Sequence, residues 1–90
     1  MAPIRRVVLD VLKPHDPDLV EFTSQLYEAG NVDTVTGTLV EIDENVKSIE
    51  VEIEGRDLEY GVLRRAIEDL GGSVHSIDQV VCGERASDRR

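Results

Sequence analysis

The stretch Ile49-Glu50-Val51-Glu52-Ile53-Glu54 alternates apolar and acidic residues for six positions. That is the period of a β-strand with one face buried and the other not. At a rise near 3.3 Å per residue, neighbouring carboxylates on its outer face stand about 7 Å apart. The rest of the chain is read outward from this acidic strand.

Upstream, Glu44-Asn45 forms a two-residue turn that pairs Asp43 with Val46 and makes Val32–Asp43 the hairpin partner of the acidic strand. In that register Ile42 faces Lys47, Val40 faces Ile49, Thr38 faces Val51 and Thr36 faces Ile53. Val35, Gly37, Leu39 and Glu41 then fall on the side of Glu54, Glu52, Glu50 and Ser48. Ile4–Leu12 reads as a strand, with Val7, Leu9 and Val11 on one face and Arg6, Val8, Asp10 and Leu12 on the other. Lys13-Pro14-His15-Asp16-Pro17 breaks it. Asp16 is the expected N-cap of a helix with Pro17 at its first position, Leu19, Phe22 and Leu26 as its stripe and Gly30 as its left-handed stop. Downstream, Asp57 is expected to cap a second helix with the stripe Leu58, Val62, Ala66 and Leu70, flanked by Leu63 and Ile67 and stopped at Gly71-Gly72. Ser73–Val81 is a last strand of ambiguous alternation, since Ile77 and Val81 fall on one face and Val74 and Val80 on the other. Residues 1–83 read as one domain, and the polar segment 84–90 as a frayed tail.

The order βαββαβ predicts an α+β, ferredoxin-like sandwich: a four-stranded antiparallel sheet ordered last, first, third, second, with both helices on one face. In this reading the first and third strands are parallel neighbours, so Asp10 lies beside Glu52 or Glu54 on one side and near Ser76 or Asp78 on the other. The open face carries Glu50, Glu52 and Glu54 together with Val8, Leu12, Val35, Leu39 and Val80. So much apolar surface calls for a subunit to cover it. Clustered like charges at a protein surface repel by about 1 to 4 kcal/mol per close pair. A divalent cation relieves this, and oxygen-only ligands suit calcium or magnesium. Asp10, Glu50, Glu52, Glu54, His75 and Asp78 are the candidate metal ligands. The plainer alternative is a solvated acidic face that holds no single ion.

Composition sets outer bounds. The 90 residues carry 19 acidic against 10 basic side chains, a formal net charge of -9, and only Lys13 and Lys47 are lysine. Such a field repels phosphate backbones, so nucleic acid is not an expected partner. An acidic, lysine-poor surface resembles the proteins of salt-loving archaea. Cys82 is the one cysteine, which excludes an intramolecular disulfide and any CxxC metal or redox site. The short apolar run Val7-Val8-Leu9 is neither a signal peptide nor a membrane span, so a cytoplasmic location is expected.

This sandwich hosts many activities, so fold does not give function. The exposed aromatics of an RNA-recognition module, the CxxC of a metal chaperone and the arginine-bearing phosphate cradle of an acylphosphatase are all missing, and no catalytic constellation stands out. At Leu9-Asp10-Val11-Leu12-Lys13-Pro14-His15-Asp16-Pro17 and at Glu68-Asp69-Leu70-Gly71-Gly72-Ser73-Val74-His75-Ser76-Ile77-Asp78-Gln79-Val80 the chain resembles a small archaeal family, domain of unknown function 211. The resemblance runs from Pro3 to about Gly83. It implies a ferredoxin-like fold, a homo-oligomeric assembly with a ring among its forms, and an uncharacterised function compatible with bound divalent ions. Asp10, His75 and Asp78 lie inside the matching motifs. Gln79 stands where that family commonly carries an acid, so no ligand role is carried over there. The expectation is a non-enzymatic, cation-binding homo-oligomer. The competing one is a small-molecule-sensing regulatory domain whose ligand sits between subunits near His15.

Overall fold

The computed structural model describes residues 2–84; of the expected tail, 85–90 lie outside the described residues. The elements follow as β1 (Ile4–Pro14), α1 (Leu19–Tyr27), β2 (Val32–Ile42), β3 (Val46–Leu58), α2 (Tyr60–Asp69) and β4 (Ser73–Cys82). The sheet order is β2-β3-β1-β4, all pairs antiparallel. This is the expected ferredoxin-like α+β sandwich.

The pairing of β1 with β3 corrects the expectation of parallel neighbours. A crossover that skips one strand leaves β1 and β2 running the same way, and the tight hairpin then reverses β3. Asp10 is consequently opposite Glu50, not Glu52 or Glu54.

One face of the sheet and the two helices enclose a core of Val7, Leu9, Val11, Phe22, Leu26, Ile49, Val51, Ile53, Leu58, Leu63 and Ile67. The alternation of β1 and β3 fixes which residues enter it. The first helix starts two residues later than expected, because Asp18 rather than Asp16 is its cap and accepts from the Glu21 N–H at 2.9 Å. The preceding loop is held by Lys13, fully buried on the helix side, whose Nζ donates to the Pro14 carbonyl at 2.8 Å and to the Pro17 carbonyl. Leu58, expected inside the second helix, instead closes β3 opposite Ile4. The helix begins at Tyr60 with no side-chain cap bond, its buried stripe is Leu63 and Ile67, and Val62 is exposed. Its C-terminus is a Schellman motif. Gly71, at φ +90°, donates to the Glu68 carbonyl at 2.9 Å, and Gly72 donates to the Ile67 carbonyl at 2.9 Å.

The largest correction concerns β2. The turn pairs Asp43 with Val46 as expected, and Ile42 faces Lys47, but the register slips by one residue between Leu39 and Glu41. Beyond this bulge at Val40, Leu39 faces Ile49, Gly37 faces Val51 and Val35 faces Ile53, all on the helix side. Gly37 lets α1 approach closely there, since a Cβ would come within 2.7 Å of Thr23 Cγ2 and 3.0 Å of Leu19 Cδ1. Two further bulges, at His75 and Asp78, bring Val74, Ile77 and Val80 to the helix side of β4. Val35, Leu39 and Val80 therefore do not belong to the open face.

Candidate functional site: the open acidic face

With register settled, the open face reads strand by strand. From β2 it takes Thr34, Thr36, Thr38 and Glu41; from β3 Glu54, Glu52, Glu50 and Ser48; from β1 Arg6, Val8, Asp10 and Leu12; and from β4 Val81, Gln79, Ser76 and Ser73. It is an oxygen-rich surface. Val8 is buried within it, and the apolar patch expected to need a covering subunit is dispersed to the helix side of the sheet edges.

The six candidate ligands do not converge. Arg6 claims two of them: its Nη2 lies 2.7 Å and its Nε 2.8 Å from Glu54 Oε2, and the same Nε lies 3.5 Å from Glu52 Oε2. Arg6 is the counter-charge that a reading focused on the acids overlooked. Its place in the β1 alternation, two positions before Val8 and four before Asp10, was the signal that puts it on their face.

Asp10 and Glu50 remain. They are direct cross-strand partners, and neither has an ion pair among the described residues. Asp10 is half-buried and accepts from Ser48 Oγ at 3.2 Å. Across β1 its partner on β4 is Ser76, whose Oγ donates to Asp78 Oδ1 at 2.7 Å. Asp78 and His75 occupy the two bulges of the edge strand and are exposed, so they flank the Asp10–Glu50 pair instead of standing in line with it. Among the described residues no group of three or more His, Cys, Asp or Glu side chains is arranged to hold a metal ion. A single chain thus offers carboxylate and hydroxyl oxygens in a row, fewer than the six to eight ligands of calcium.

Two other residues complete the account. His15 is an exposed loop residue, and its Nε2 lies 3.2 Å from the carbonyl oxygen of Asp43, tying the β1–α1 loop to the hairpin tip. Cys82 is an exposed free thiol. Among the described residues no helix is long and apolar enough to cross a membrane.

A family model described as uncharacterised ArCR, DUF211, matches residues 5–90. An uncharacterised protein of Methanocaldococcus jannaschii is 44% identical over 85 residues, covering 94% of this chain and 88% of that relative. The expectation of salt adaptation gains no support from these matches.

Proposed function

The chain belongs to the uncharacterised ArCR family, DUF211, and we propose that it is a non-enzymatic homo-oligomer that takes divalent cations, calcium or magnesium, on its open face at subunit contacts. The observation that carries this reading is the Asp10–Glu50 pair. Two carboxylates stand opposite each other on adjacent strands while the nearby arginine is occupied by Glu52 and Glu54. Like charges directly opposite in a sheet destabilise it, and a hard cation offsets that cost. Ser48, Ser76 and Asp78 supply further oxygens beside the pair. The ligand set is incomplete within one chain, which is why the reading puts the ion between copies, where a second chain and water fill the coordination shell.

Light scattering coupled to size exclusion, with calcium and with chelator, tests this. An assembly whose mass falls on chelation supports it. A single-chain mass under both conditions overturns it.

A further inference from the structure

The turn from α1 into β2 and the end of β3 enclose a cleft that the open face does not use. Its volume is about 320 Å³, at the lower end of the about 300 to 1,000 Å³ range of small-molecule sites. Tyr27, Glu28, Asn31, Val32, Asp33 and Arg56 line it. Local structure explains how they meet. Helix α1 ends at Tyr27 with Glu28 as its C-cap, and Gly30, at φ +123°, turns the chain back toward β2. Asn31 then sits over β3. Its carbonyl oxygen occupies the space that a Cβ at Gly55 would need, and its Nδ2 donates to the Asp57 carbonyl at 3.4 Å. The Arg56 carbonyl between them accepts from Arg5 Nη1 at 3.1 Å. The backbone of the rim is therefore fixed, while the side chains of Glu28, Asp33 and Arg56 are exposed. Such a preorganised frame lowers the ordering cost of binding.

Glu28 and Asp33 share this cleft with Arg56, yet none of the three belongs to an ion pair among the described residues. Glu28 also stands at the wrong end of a helix. The last turn of α1 has no basic residue, although the C-terminal carbonyls of a helix favour a cation. The exposed ring of Tyr27 favours one too. One part of the cleft thus calls for a cationic group, and Arg56 calls for an anionic one. We propose that this cleft binds a free α-amino acid with an apolar side chain, its ammonium on Glu28, Asp33 and the C-terminus of α1 and its carboxylate on Arg56. Charge selects the ligand. A metal ion meets the acids but is repelled by Arg56, and a phosphate meets Arg56 but is repelled by two carboxylates. An uncharged molecule covers all three charges and pairs none. A betaine has both charges but no N–H to donate to the carboxylates. A primary ammonium beside a carboxylate satisfies every group. Tyr27 and Val32 supply the apolar wall, which assigns the side chain. The neighbouring recess against Leu58 and Leu63 is about 30 Å³, room for water-sized groups alone.

This cleft shares no residue with the proposed cation site, so the two stand or fall separately. Equilibrium dialysis of the full chain against labelled L-leucine, in chelator, tests it, with unlabelled analogues as competitors. Leucinamide lacks the carboxylate and isocaproate lacks the ammonium. Each should bind at least about tenfold more weakly than leucine, the loss of one charge-assisted pair, and glycine betaine should not compete. In Arg56→Gln leucine affinity should fall to that of leucinamide, which should itself be unchanged. In Glu28→Gln with Asp33→Asn the advantage of leucine over isocaproate should disappear. All three side chains are exposed, so the fold is retained, and circular dichroism checks it. No leucine retained at millimolar concentration overturns the assignment. So does leucinamide or betaine binding as tightly as leucine, or wild-type affinity in Arg56→Gln. Those outcomes leave the cation reading untouched, because the mass in calcium and in chelator decides that one.

Discussion

Asp10 and Glu50 face each other across β1 and β3 with no basic side chain paired to either among the described residues. Opposed carboxylates on adjacent strands repel, so under the proposed function the pair connects stability to cation binding. In chelator, Asp10→Asn and Glu50→Gln are expected to leave Tm unchanged or slightly raised. With calcium at about a hundred times Kd, binding stabilises by about 2.7 kcal/mol, upward of about 10 °C for a domain of this size. Both variants should lose that rise. A wild type whose Tm ignores calcium and magnesium argues against the proposal.

Arg6 is half-exposed, and so are the two glutamates it serves. Arg6→Gln should therefore cost less than about 1 kcal/mol in low salt. The difference should shrink toward zero near 1 M salt, where the screening length is about 3 Å. Urea titrations at two ionic strengths measure both. A large, salt-independent loss would mean that the arginine stem, not its charge, is what matters.

Lys13 is wholly buried, with its ammonium donated to two backbone carbonyls and placed 5.9 Å from the centre of the Phe22 ring. Burial, and then the neighbouring Lys47 charge, lower its pKa below the ordinary 10.5, against the opposing pull of Asp18 and Asp16. The folded state then releases this proton at lower pH than the unfolded chain does. Stability contributed at this site therefore rises as pH climbs from the folded pKa toward 10.5. The unfolding free energy of wild type relative to Lys13→Met should increase across that alkaline window, and Lys47→Gln should narrow the window. A difference that is flat with pH would show that Lys13 titrates as it does when unfolded.

Glycines separate close approach from simple conformational freedom. A Cβ at Gly55 would overlap the carbonyl oxygen of Asn31 and come within 2.6 Å of Leu58 Cδ2. Gly55→Ala is expected to destabilise by about 1 to 3 kcal/mol. Gly61, inside α2 with nothing within 4 Å of its Cβ position, is the contrast. Gly61→Ala should stabilise by about 0.5 to 1 kcal/mol. Chemical denaturation of the two variants reads both signs.

The slip in β2 was latent in the chain. Thr34, Thr36 and Thr38 alternate with Val35, Gly37 and Leu39, a pattern that places the apolar set inside. The Glu44-Asn45 turn implies the opposite phase, and an extra residue at Val40 reconciles the two. The ambiguous spacing of Val74, Ile77 and Val80, three apart, is likewise resolved by one bulge in each interval. Each bulge moves a residue's neighbours by one position. The candidate site accordingly shrank from five acids and a histidine in rough proximity to one opposed pair with Ser48, Ser76 and Asp78 beside it.

The sequence by itself determined the element order, the sheet order, the helix-facing side of β1 and β3, and the acidity of the opposite side. Those follow from local periodicity and from the handedness of short connections, which neighbouring residues encode. Only the tertiary structure decided that β1 opposes β3 antiparallel with Asp10 against Glu50, that Arg6 pairs with Glu54 and Glu52, and that Lys13 is buried. These depend on which residues distant in the chain meet across a ladder. A single inserted residue changes that pairing while leaving the local alternation intact.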